Sequence, residues 1–401
     1  MIKKKMDKRH ARIVMAGIFS LMIAMGFSRF AYTPILPLMK SSAGLSEAAS
    51  GYLASCNFLG YLFGAFYAGR INHKGNPRII IQILLANILS FAAMGLTDDY
   101  FIWLFLRFIS GVSSGLVFVL CSSFVLDSLA KQGLASWSGI FYSGVGIGIL
   151  ITGISVPISN TYLGWKGSWL VLGGISIFLG LLVFAWLKMV PGTNDKKQAA
   201  EREKAEQKEI LPWLVLAYGL EGLGYIISGT FLVDIFNGID GLRSMSSLSW
   251  VFVGLAAIPS TFIWVTVAKK VGFIFSICLA ICVQAAGVIL PVLVPNMAGG
   301  LLGAFLFGAT FMGITAMTTT YARMIQPNNS SKVIGLLTGV YGVGQILGPS
   351  IAGFLVSLTG NYSISLFFAT AVLLTAVLLL GGGQWKTSNK LNRKEDAECH
   401  T

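Results

Sequence analysis

A chain of 401 residues in which 55% are hydrophobic and only 11% are charged is too apolar for a soluble globular protein. Its mean hydropathy is +0.76, and its apolar segments are continuous rather than alternating, which argues against a transmembrane β-barrel. The net charge of +13 comes from basic residues spread between the apolar segments, which argues against a nucleic-acid-binding surface. We therefore expect a multi-pass helical membrane protein whose partners include the lipid bilayer and no nucleic acid.

A helix needs about 20 apolar residues to cross the hydrocarbon core of a membrane, and twelve such segments can be placed along the chain. The six in the first half are predicted at 13–38, 47–69, 78–97, 101–126, 135–158 and 168–189. The six in the second half are predicted at 210–236, 246–268, 273–294, 298–323, 333–358 and 363–383. The first apolar run is too long for a cleaved secretory signal, so we interpret it as a retained span.

These spans form two predicted bundles, at 13–190 and 210–383. The segment 191–209 between them contains the sequence DKKQAAEREKAEQKE and has no apolar face, which is typical of a solvated linker. Polar ends are predicted at 1–12 and 384–401. When successive loops are assigned to alternate sides, 24 of the 29 lysines and arginines fall on the side of the N-terminus and three on the other side. Because basic loops stay inside, both termini and the linker are predicted to be cytoplasmic.

Two glycine-rich segments in the fifth and eleventh predicted spans share their glycine spacing. The first reads GIFYSGVGIGILITG and the second GVYGVGQILGPSIAG. Four glycines of each segment superimpose: Gly139, Gly144, Gly148 and Gly153 on Gly339, Gly344, Gly348 and Gly353. Their spacing places them near one face of a helix, where a second helix can approach closely. The pattern predicts an internal duplication in which these helices serve either as static contacts or as sliding surfaces.

Two six-span halves joined by a charged linker, with matched glycine helices, resemble the major facilitator superfamily, whose halves are parallel repeats. The segment RFISGVSSG, which begins at Arg107 in the fourth span, resembles the arginine-containing motif of that superfamily. The loop GRINHKGNPR resembles its basic cytoplasmic loop, with His73 where an aspartate is usual. The candidate motif positions in this loop are Gly69, Arg70, Lys74, Gly75 and Arg78. The implied fold is an all-α integral membrane protein with twelve transmembrane helices in two pseudo-symmetric six-helix bundles.

Four further segments are similar to the YbfB/YjiJ-type subgroup of bacterial transporters. They read GFSRFAYTPILPLM in the first span, GLGYIISGTFLV in the seventh, FGATFMGITA in the tenth and YGVGQILGPSIAG in the eleventh. The resemblance implies a solute transporter of the bacterial inner membrane rather than an enzyme. It implies no catalytic residues, cofactor or metal site, and we expect a monomer.

Ionisable side chains inside a membrane are costly, so each one requires a partner or a function. Arg29 in the first span could bind a carboxylate or phosphate through paired hydrogen bonds, or pair with an acid of another helix. Arg107 could position a substrate or transfer protons, or it could extend to the lipid headgroups. Glu221 in the seventh span could load and release a proton, or stay neutral and hydrogen-bonded. Resemblance to the superfamily implies that these three residues surround one central cavity.

Three uncharged polar residues complete the candidate substrate-binding or coupling site. Tyr32 follows Arg29 on one helical face, and Tyr225 lies in a polar stripe with Glu221. Gln345 interrupts the glycine pattern of the eleventh span. Interhelical hydrogen bonding is the default role of such residues in a membrane protein, and substrate binding is the alternative for these three.

These features predict a secondary active transporter that moves a small organic solute by alternating access, with an anion favoured and protons as the coupling ion. No Walker-type loop occurs, so ATP is not the expected energy source. A second hypothesis is a proton-antiport exporter of drugs or metabolites. A third, of another class, is a membrane-embedded enzyme or sensor. Against it, all three histidines, His10, His73 and His400, lie outside the predicted spans.

Overall fold

The computed structural model describes residues 8–68, 77–131, 138–187, 208–238, 243, 246–326 and 330–399. Every regular element in these ranges is helical. The helices of the first half are α1 (Lys8–Leu21), α2 (Tyr32–Ala43), α3 (Glu47–Ala68), α4 (Pro77–Ala92), α5 (Tyr100–Lys131) and α6 (Ser138–Leu187). Those of the second half are α7 (Leu211–Asn237), α8 (Ser246–Val271), α9 (Phe273–Leu293), α10 (Met297–Ile325), α11 (Ser330–Thr359) and α12 (Ser363–Cys399).

The described helices supply eleven apolar segments of membrane-spanning length. Ten continuous stretches within the described residues are long and apolar enough to cross a membrane. One of them, Gly139–Leu187, bends at Gly164, whose φ of 67° is accessible to glycine, and so crosses twice. The 22-residue helix α3 has the length of a further span but is less apolar than these stretches. The predicted fold class is therefore confirmed.

Some predicted boundaries differ from the structure, and others cannot be compared with it. The last helix continues to Cys399, well beyond the predicted end of the twelfth span at 383. Of the predicted linker 191–209, only the start of the 3₁₀ turn Lys208–Ile210 lies within the described residues. Within the basic loop motif, Arg78 is exposed in the first turn of α4. The other four motif positions lie outside the described residues: Gly69, Arg70, Lys74 and Gly75.

Within each half, the glycine-rich helix packs closely against the first span of that half. A Cβ added at Gly148 of α6 would lie 2.7 Å from the Cα of Gly26, which is closer than real side chains approach. In the second half, a Cβ added at Gly348 of α11 would lie 2.8 Å from the carbonyl oxygen of Leu223 in α7. The glycines one turn earlier contact the same two neighbouring spans: Gly144 and Gly344.

The last glycine of each segment instead contacts the opposite half. Gly153 of α6 packs against Val251 of α8, and Gly353 of α11 packs against Glu47 of α3. The α6–α8 and α11–α3 contacts are therefore equivalent after the halves are exchanged. This reciprocity is expected of two parallel repeats related by a rotation.

The first glycine of each segment breaks the equivalence. An added Cβ at Gly139 would lie 3.1 Å from the Cβ of Phe262 in α8. Among the residues that the structure describes, no atom lies within 4 Å of the corresponding position at Gly339. The prediction of close helix packing is therefore wrong for Gly339, because no described neighbour approaches the helix at that position.

We expect Gly148→Val to lower the melting temperature of the purified protein by several degrees. The new side chain would have to displace the backbone around Gly26, and overpacking of this kind costs about 1–3 kcal/mol. Gly339→Val is the matched control, because it adds the same side chain to open space in the equivalent helix. Equal melting temperatures for the two variants would contradict the tight crossing of α6 and the first span.

Candidate functional site

The first span is broken in its middle, and the break positions Arg29. The segment Met22–Phe27 is a π-helix, and the N–H of Ser28 donates to the carbonyl oxygen of Ile23, five residues earlier, at 2.9 Å. Pro34 has no N–H to continue the helical ladder, so regular α-helix resumes only around it. Sequence analysis expected one continuous helix here. Arg29 instead lies in the turn between α1 and α2.

Arg107 of α5 stabilises this break. Its side chain is 1% exposed, and its Nη1 donates to the carbonyl oxygen of Ser28 at 3.2 Å. Its Nε lies 3.4 Å from the carbonyl oxygen of Leu53, and its guanidinium stacks 4.6 Å from the ring centre of Tyr32. The hydroxyl of Tyr32 donates to the carbonyl oxygen of Ser50 at 2.9 Å. Arg107 is thus buried inside the first half and does not extend to lipid headgroups, and Tyr32 packs beside it.

A buried asparagine that was not among the predicted site residues also supports the break. The amide nitrogen of Asn87 in α4 lies 2.9 Å from the hydroxyl of Ser28 and 3.0 Å from that of Ser114 in α5. The hydroxyl of Ser114 in turn donates to the carbonyl oxygen of Ala24 at 2.7 Å. Side chains of α5 therefore satisfy the irregular backbone, as buried polar groups require, and Asn87 of α4 holds the hydroxyls of Ser28 and Ser114.

Arg29 differs from Arg107 because part of its guanidinium has no partner. The residue is 3% exposed, and its Nε and Nη2 make no hydrogen bond. The charge is held by aromatic rings, at 4.2 Å from the ring centre of Tyr61, 4.7 Å from Phe58 and 5.4 Å from Phe30. Two free N–H groups on one planar guanidinium match the two oxygens of a carboxylate or phosphate. Arg29 therefore offers unsatisfied hydrogen-bond donors at this position.

The second half contributes a polar and aromatic wall around Tyr225. The amide nitrogen of Gln345 in α11 donates to the hydroxyl of Tyr225 at 2.5 Å, and the amide oxygen of Gln345 has no partner. The ring of Tyr225 stacks with Tyr341 at 5.7 Å and with Phe311 at 6.1 Å between ring centres. Tyr225 and Gln345, both predicted site residues, thus form one hydrogen-bonded pair.

Aromatic contacts connect this wall with Arg29. Phe30, next to Arg29 in the chain, meets Phe311 of α10 edge to face at 5.9 Å. Tyr225 lies close enough to Arg29 to interact with its charge. The structure therefore brings Arg29, Tyr225 and Gln345 to one region between the halves.

Glu221 has a different environment from the one expected. Its side chain is fully buried, and neither carboxyl oxygen makes a hydrogen bond of acceptable geometry. The amide of Gln284 in α9 lies beside the carboxyl group, and its two polar atoms are also unpartnered. One turn away, a crevice lined by Tyr218 and Thr318 is too narrow for a water molecule. The structure places Glu221 inside the second half next to Gln284, and it forms no ion pair with Arg29.

A further cluster of polar residues joins the halves at the face opposite the N-terminus, which we call the far face. Lys40 at the end of α2 forms ion pairs with Glu47 of α3 and Asp234 of α7. The hydroxyl of Tyr362, just before α12, lies 2.6 Å from Oδ2 of Asp234 and 2.9 Å from Oε2 of Glu47. Sequence analysis missed this far-face cluster. The available signal was Lys40, one of the three basic residues assigned to that side.

Comparisons with known proteins agree with this architecture. Residues 21–381 match the family described as "Uncharacterised MFS-type transporter YbfB". The chain is 24% identical to the uncharacterized MFS-type transporter YceJ of Bacillus subtilis (strain 168), over 94% of this chain and 96% of that protein. It is 23% identical to the hexuronate transporter of the same organism, over 87% of this chain and 89% of that protein.

Two solved structures share the fold. A point mutant of the nucleoside transporter NupG superposes with a TM-score of 0.71 at 11% identity, covering 94% of this chain and 100% of that one. The POT family transporter PepTSo superposes with a TM-score of 0.73 at 13% identity, covering 96% of this chain and 99% of that one. The helical architecture and a family match over most of the chain lead to one conclusion. This protein belongs to the YbfB family of MFS-type transporters, and it is a multi-pass membrane transporter rather than an enzyme.

Proposed function

We propose that this chain is a secondary active transporter that moves a small organic anion across the bacterial inner membrane. The observation that carries the proposal is the buried guanidinium of Arg29, whose Nε and Nη2 have no hydrogen-bond partner among the described residues. A buried charge is stable only when it is paired or stacked, and aromatic rings supply only part of what water supplies. An anionic solute completes the environment of Arg29 while it is bound.

The surrounding side chains suggest how the rest of the solute is held. The rings of Tyr61 and Phe58 line one side of Arg29, and the pair of Tyr225 and Gln345 lies toward the other half. The amide oxygen of Gln345 is free to accept a hydrogen bond. This combination suits a small carboxylate that carries hydroxyl groups or a ring. The similarity to a hexuronate transporter is consistent with it, because a hexuronate is a sugar carboxylate.

The contacts that join the two halves suggest how the solute could move through the protein. The hydroxyl of Thr33 in α2 donates to the carbonyl oxygen of Gly229 in α7 at 2.6 Å. The far-face cluster joins the same two helices nearer the far face, through the ion pair of Lys40 with Asp234. We infer that these contacts close the far face, and that their separation opens Arg29 to that side during alternating access. Both termini are cytoplasmic in this proposal, so the far face is the outer one.

Proton coupling is assigned to Glu221. A carboxyl group that is fully buried without a partner carries a large penalty when charged, so it favours taking up a proton. Because Gln284 rather than Arg29 lies beside it, the proton and the solute occupy separate sites in this scheme. Helix α7 connects them, since it carries both Glu221 and Tyr225.

The proposal is tested by a thermal-shift screen of the purified protein with sugar acids, other organic acids, and the corresponding uncharged alcohols or amides. A ligand that binds only the folded protein raises its melting temperature, by an amount that increases with concentration. We expect stabilisation by one class of carboxylates and none by the matched uncharged compounds. Stabilisation by uncharged or cationic compounds alone would overturn the assignment of an anion.

A further inference from the structure

The buried groups around Arg29 that can still form a hydrogen bond limit what kind of anion fits there. Among the described residues, they include Nε and Nη2 of Arg29, the amide oxygen of Gln345 and the hydroxyl of Ser228. Ser228 lies one turn along α7 from Tyr225, on nearly the same face. The hydroxyl of Tyr225 is already bonded to Gln345. Apart from the donors of Arg29, the region therefore offers a solute an amide oxygen and a hydroxyl.

Four aromatic rings of the second half lie nearly parallel to one another beside these groups. The ring plane of Tyr225 is inclined by 7° to that of Phe311, by 16° to that of Tyr341 and by 17° to that of Phe307. Phe307 and Phe311 are one turn apart on one face of α10. We call these four side chains the aromatic wall. Because aromatic pairs favour offset stacking, a flat ring can stack on parallel rings without tilting them.

Aromatic rings also surround the charge of Arg29. The guanidinium lies 4.2 Å from the ring centre of Tyr61 and 4.7 Å from that of Phe58. Phe30, at 5.4 Å from the same guanidinium, meets Phe311 of the aromatic wall edge to face at 5.9 Å. Ring contacts thus connect the guanidinium with the aromatic wall. An anion that pairs with the free N–H groups of Arg29 places the rest of the molecule among these rings.

A sugar acid matches this environment poorly. It carries a hydroxyl group on most of its carbon atoms, and each hydroxyl that is buried without a partner lowers the affinity. Aromatic rings accept hydrogen bonds only weakly, so the aromatic wall cannot replace water around these hydroxyls. The relative named as a hexuronate transporter is 23% identical to this chain, and similarity at that level leaves the residues of the site free to differ. A flat ring with one charged end suits the site better.

We propose that the transported anion is an aromatic carboxylate, a single flat ring with a carboxylate at one end and a hydroxyl group at the other. The carboxylate accepts hydrogen bonds from Nε and Nη2 of Arg29, and the ring stacks on the aromatic wall. The ring hydroxyl donates to the free amide oxygen of Gln345. This inference rests on the proposed function and narrows its solute from small organic anions to one chemical class.

The test is calorimetric titration of the purified full chain with four carboxylates that are all anions at neutral pH: 4-hydroxybenzoate, benzoate, cyclohexanecarboxylate and glucuronate. Cyclohexanecarboxylate is close to benzoate in size but has no aromatic ring. We expect benzoate to bind about two- to tenfold more tightly than cyclohexanecarboxylate, which is the usual effect of aromatic stacking. A buried hydrogen bond should make 4-hydroxybenzoate tighter than benzoate by a similar factor. Glucuronate is expected to give no measurable heat of binding.

The titrations distinguish failure of this inference from failure of the proposed function. Glucuronate that binds as tightly as benzoate, or equal affinities for benzoate and cyclohexanecarboxylate, would overturn the aromatic class and leave an anion transporter. Binding of none of the four carboxylates would overturn the aromatic class as well. If 4-hydroxybenzyl alcohol, which has no carboxylate, bound instead, the proposed anion would be overturned together with it.

Phe311→Leu separates recognition of the solute from packing of the protein. Leucine is apolar like phenylalanine but has no ring on which a solute can stack. We expect this variant to lose the preference for benzoate over cyclohexanecarboxylate, because only the aromatic probe loses a favourable contact. A purely structural role of Phe311 would instead weaken both probes equally. A folded Phe311→Leu protein that kept the preference would contradict stacking on the aromatic wall.

The matched control is Phe273→Leu in the same half. Phe273 of α9 stacks with Tyr321 of α10 at 5.6 Å between ring centres and 13° between ring planes. Tyr321 lies nearer the end of α10 than Phe311, so this variant removes a parallel ring outside the aromatic wall. It is expected to keep the preference for benzoate. Loss of the preference in Phe273→Leu would show that the effect of Phe311→Leu is not specific to the aromatic wall.

Gln345→Leu tests the other end of the solute. It is expected to remove the preference for 4-hydroxybenzoate over benzoate, because the amide oxygen that accepts a hydrogen bond from the ring hydroxyl is lost. A preference that survives in this variant would contradict the assignment of the hydroxyl to Gln345. Circular dichroism and gel filtration of each variant verify that it is folded.

Discussion

Arg29→Gln is expected to weaken binding of the anionic solute by at least about 30-fold, since losing one partner of a buried charged pair costs about 2 kcal/mol or more. Glutamine keeps hydrogen-bonding capacity but has neither the charge nor the planar fork of the guanidinium. Arg29→Lys is expected to lose less, because it keeps the charge and loses only the paired geometry. The measurement is equilibrium binding of the carboxylate identified by the thermal-shift screen.

The control for this prediction is Arg323→Gln, which removes an exposed arginine in the last turn of α10. Its affinity for the solute is expected to equal that of the unmodified protein. Because Arg29 is held by Phe58 and Tyr61, melting temperatures must be compared as well. A folded Arg29→Gln protein with unchanged affinity would show that the anion binds elsewhere.

Glu221→Gln is expected to abolish accumulation of the solute driven by a pH gradient while leaving exchange of solute across the membrane. Glutamine has nearly the shape of a protonated glutamate, so it preserves packing against Gln284 but cannot release a proton. A gradient of about one pH unit supplies about 1.4 kcal/mol per proton, which supports about tenfold accumulation. The variant should therefore equilibrate the solute without concentrating it.

Both activities can be measured in the same proteoliposomes, with labelled solute and either an imposed pH gradient or unlabelled solute inside. Glu209→Gln is a suitable control, because Glu209 is exposed in the turn just before α7. It should retain both activities. Full accumulation by Glu221→Gln would remove Glu221 from the coupling mechanism, and loss of exchange as well would indicate a structural role.

The architecture was predictable because it depends on properties that repeat along the chain. The matched glycines indicated a duplication, and Gly148 and Gly348 each pack against the first span of their own half, as a duplication predicts. The break in the first span was not predictable. Pro34 weakens the helix locally, but the carbonyl of Ser28 accepts a hydrogen bond from Arg107, which belongs to a distant segment of the chain.

The environment of Glu221 could not be predicted from the sequence either. Helical spacing places Glu221 and Tyr225 on one side of α7, but it cannot say which neighbouring helix each side chain meets. In the structure Glu221 lies beside Gln284 of α9, and Tyr225 lies beside Gln345 of α11. The far-face cluster could not be predicted for the same reason, because Lys40 and Asp234 are 194 residues apart in sequence.

The most direct test of the anion site is a structure of the protein with its carboxylate ligand bound. We expect the carboxylate oxygens within hydrogen-bonding distance of Nε and Nη2 of Arg29, with Tyr225 and Gln345 against the rest of the solute. A ligand bound within one bundle away from Arg29, or an Arg29 guanidinium paired with Glu221 in the bound state, would contradict the proposal.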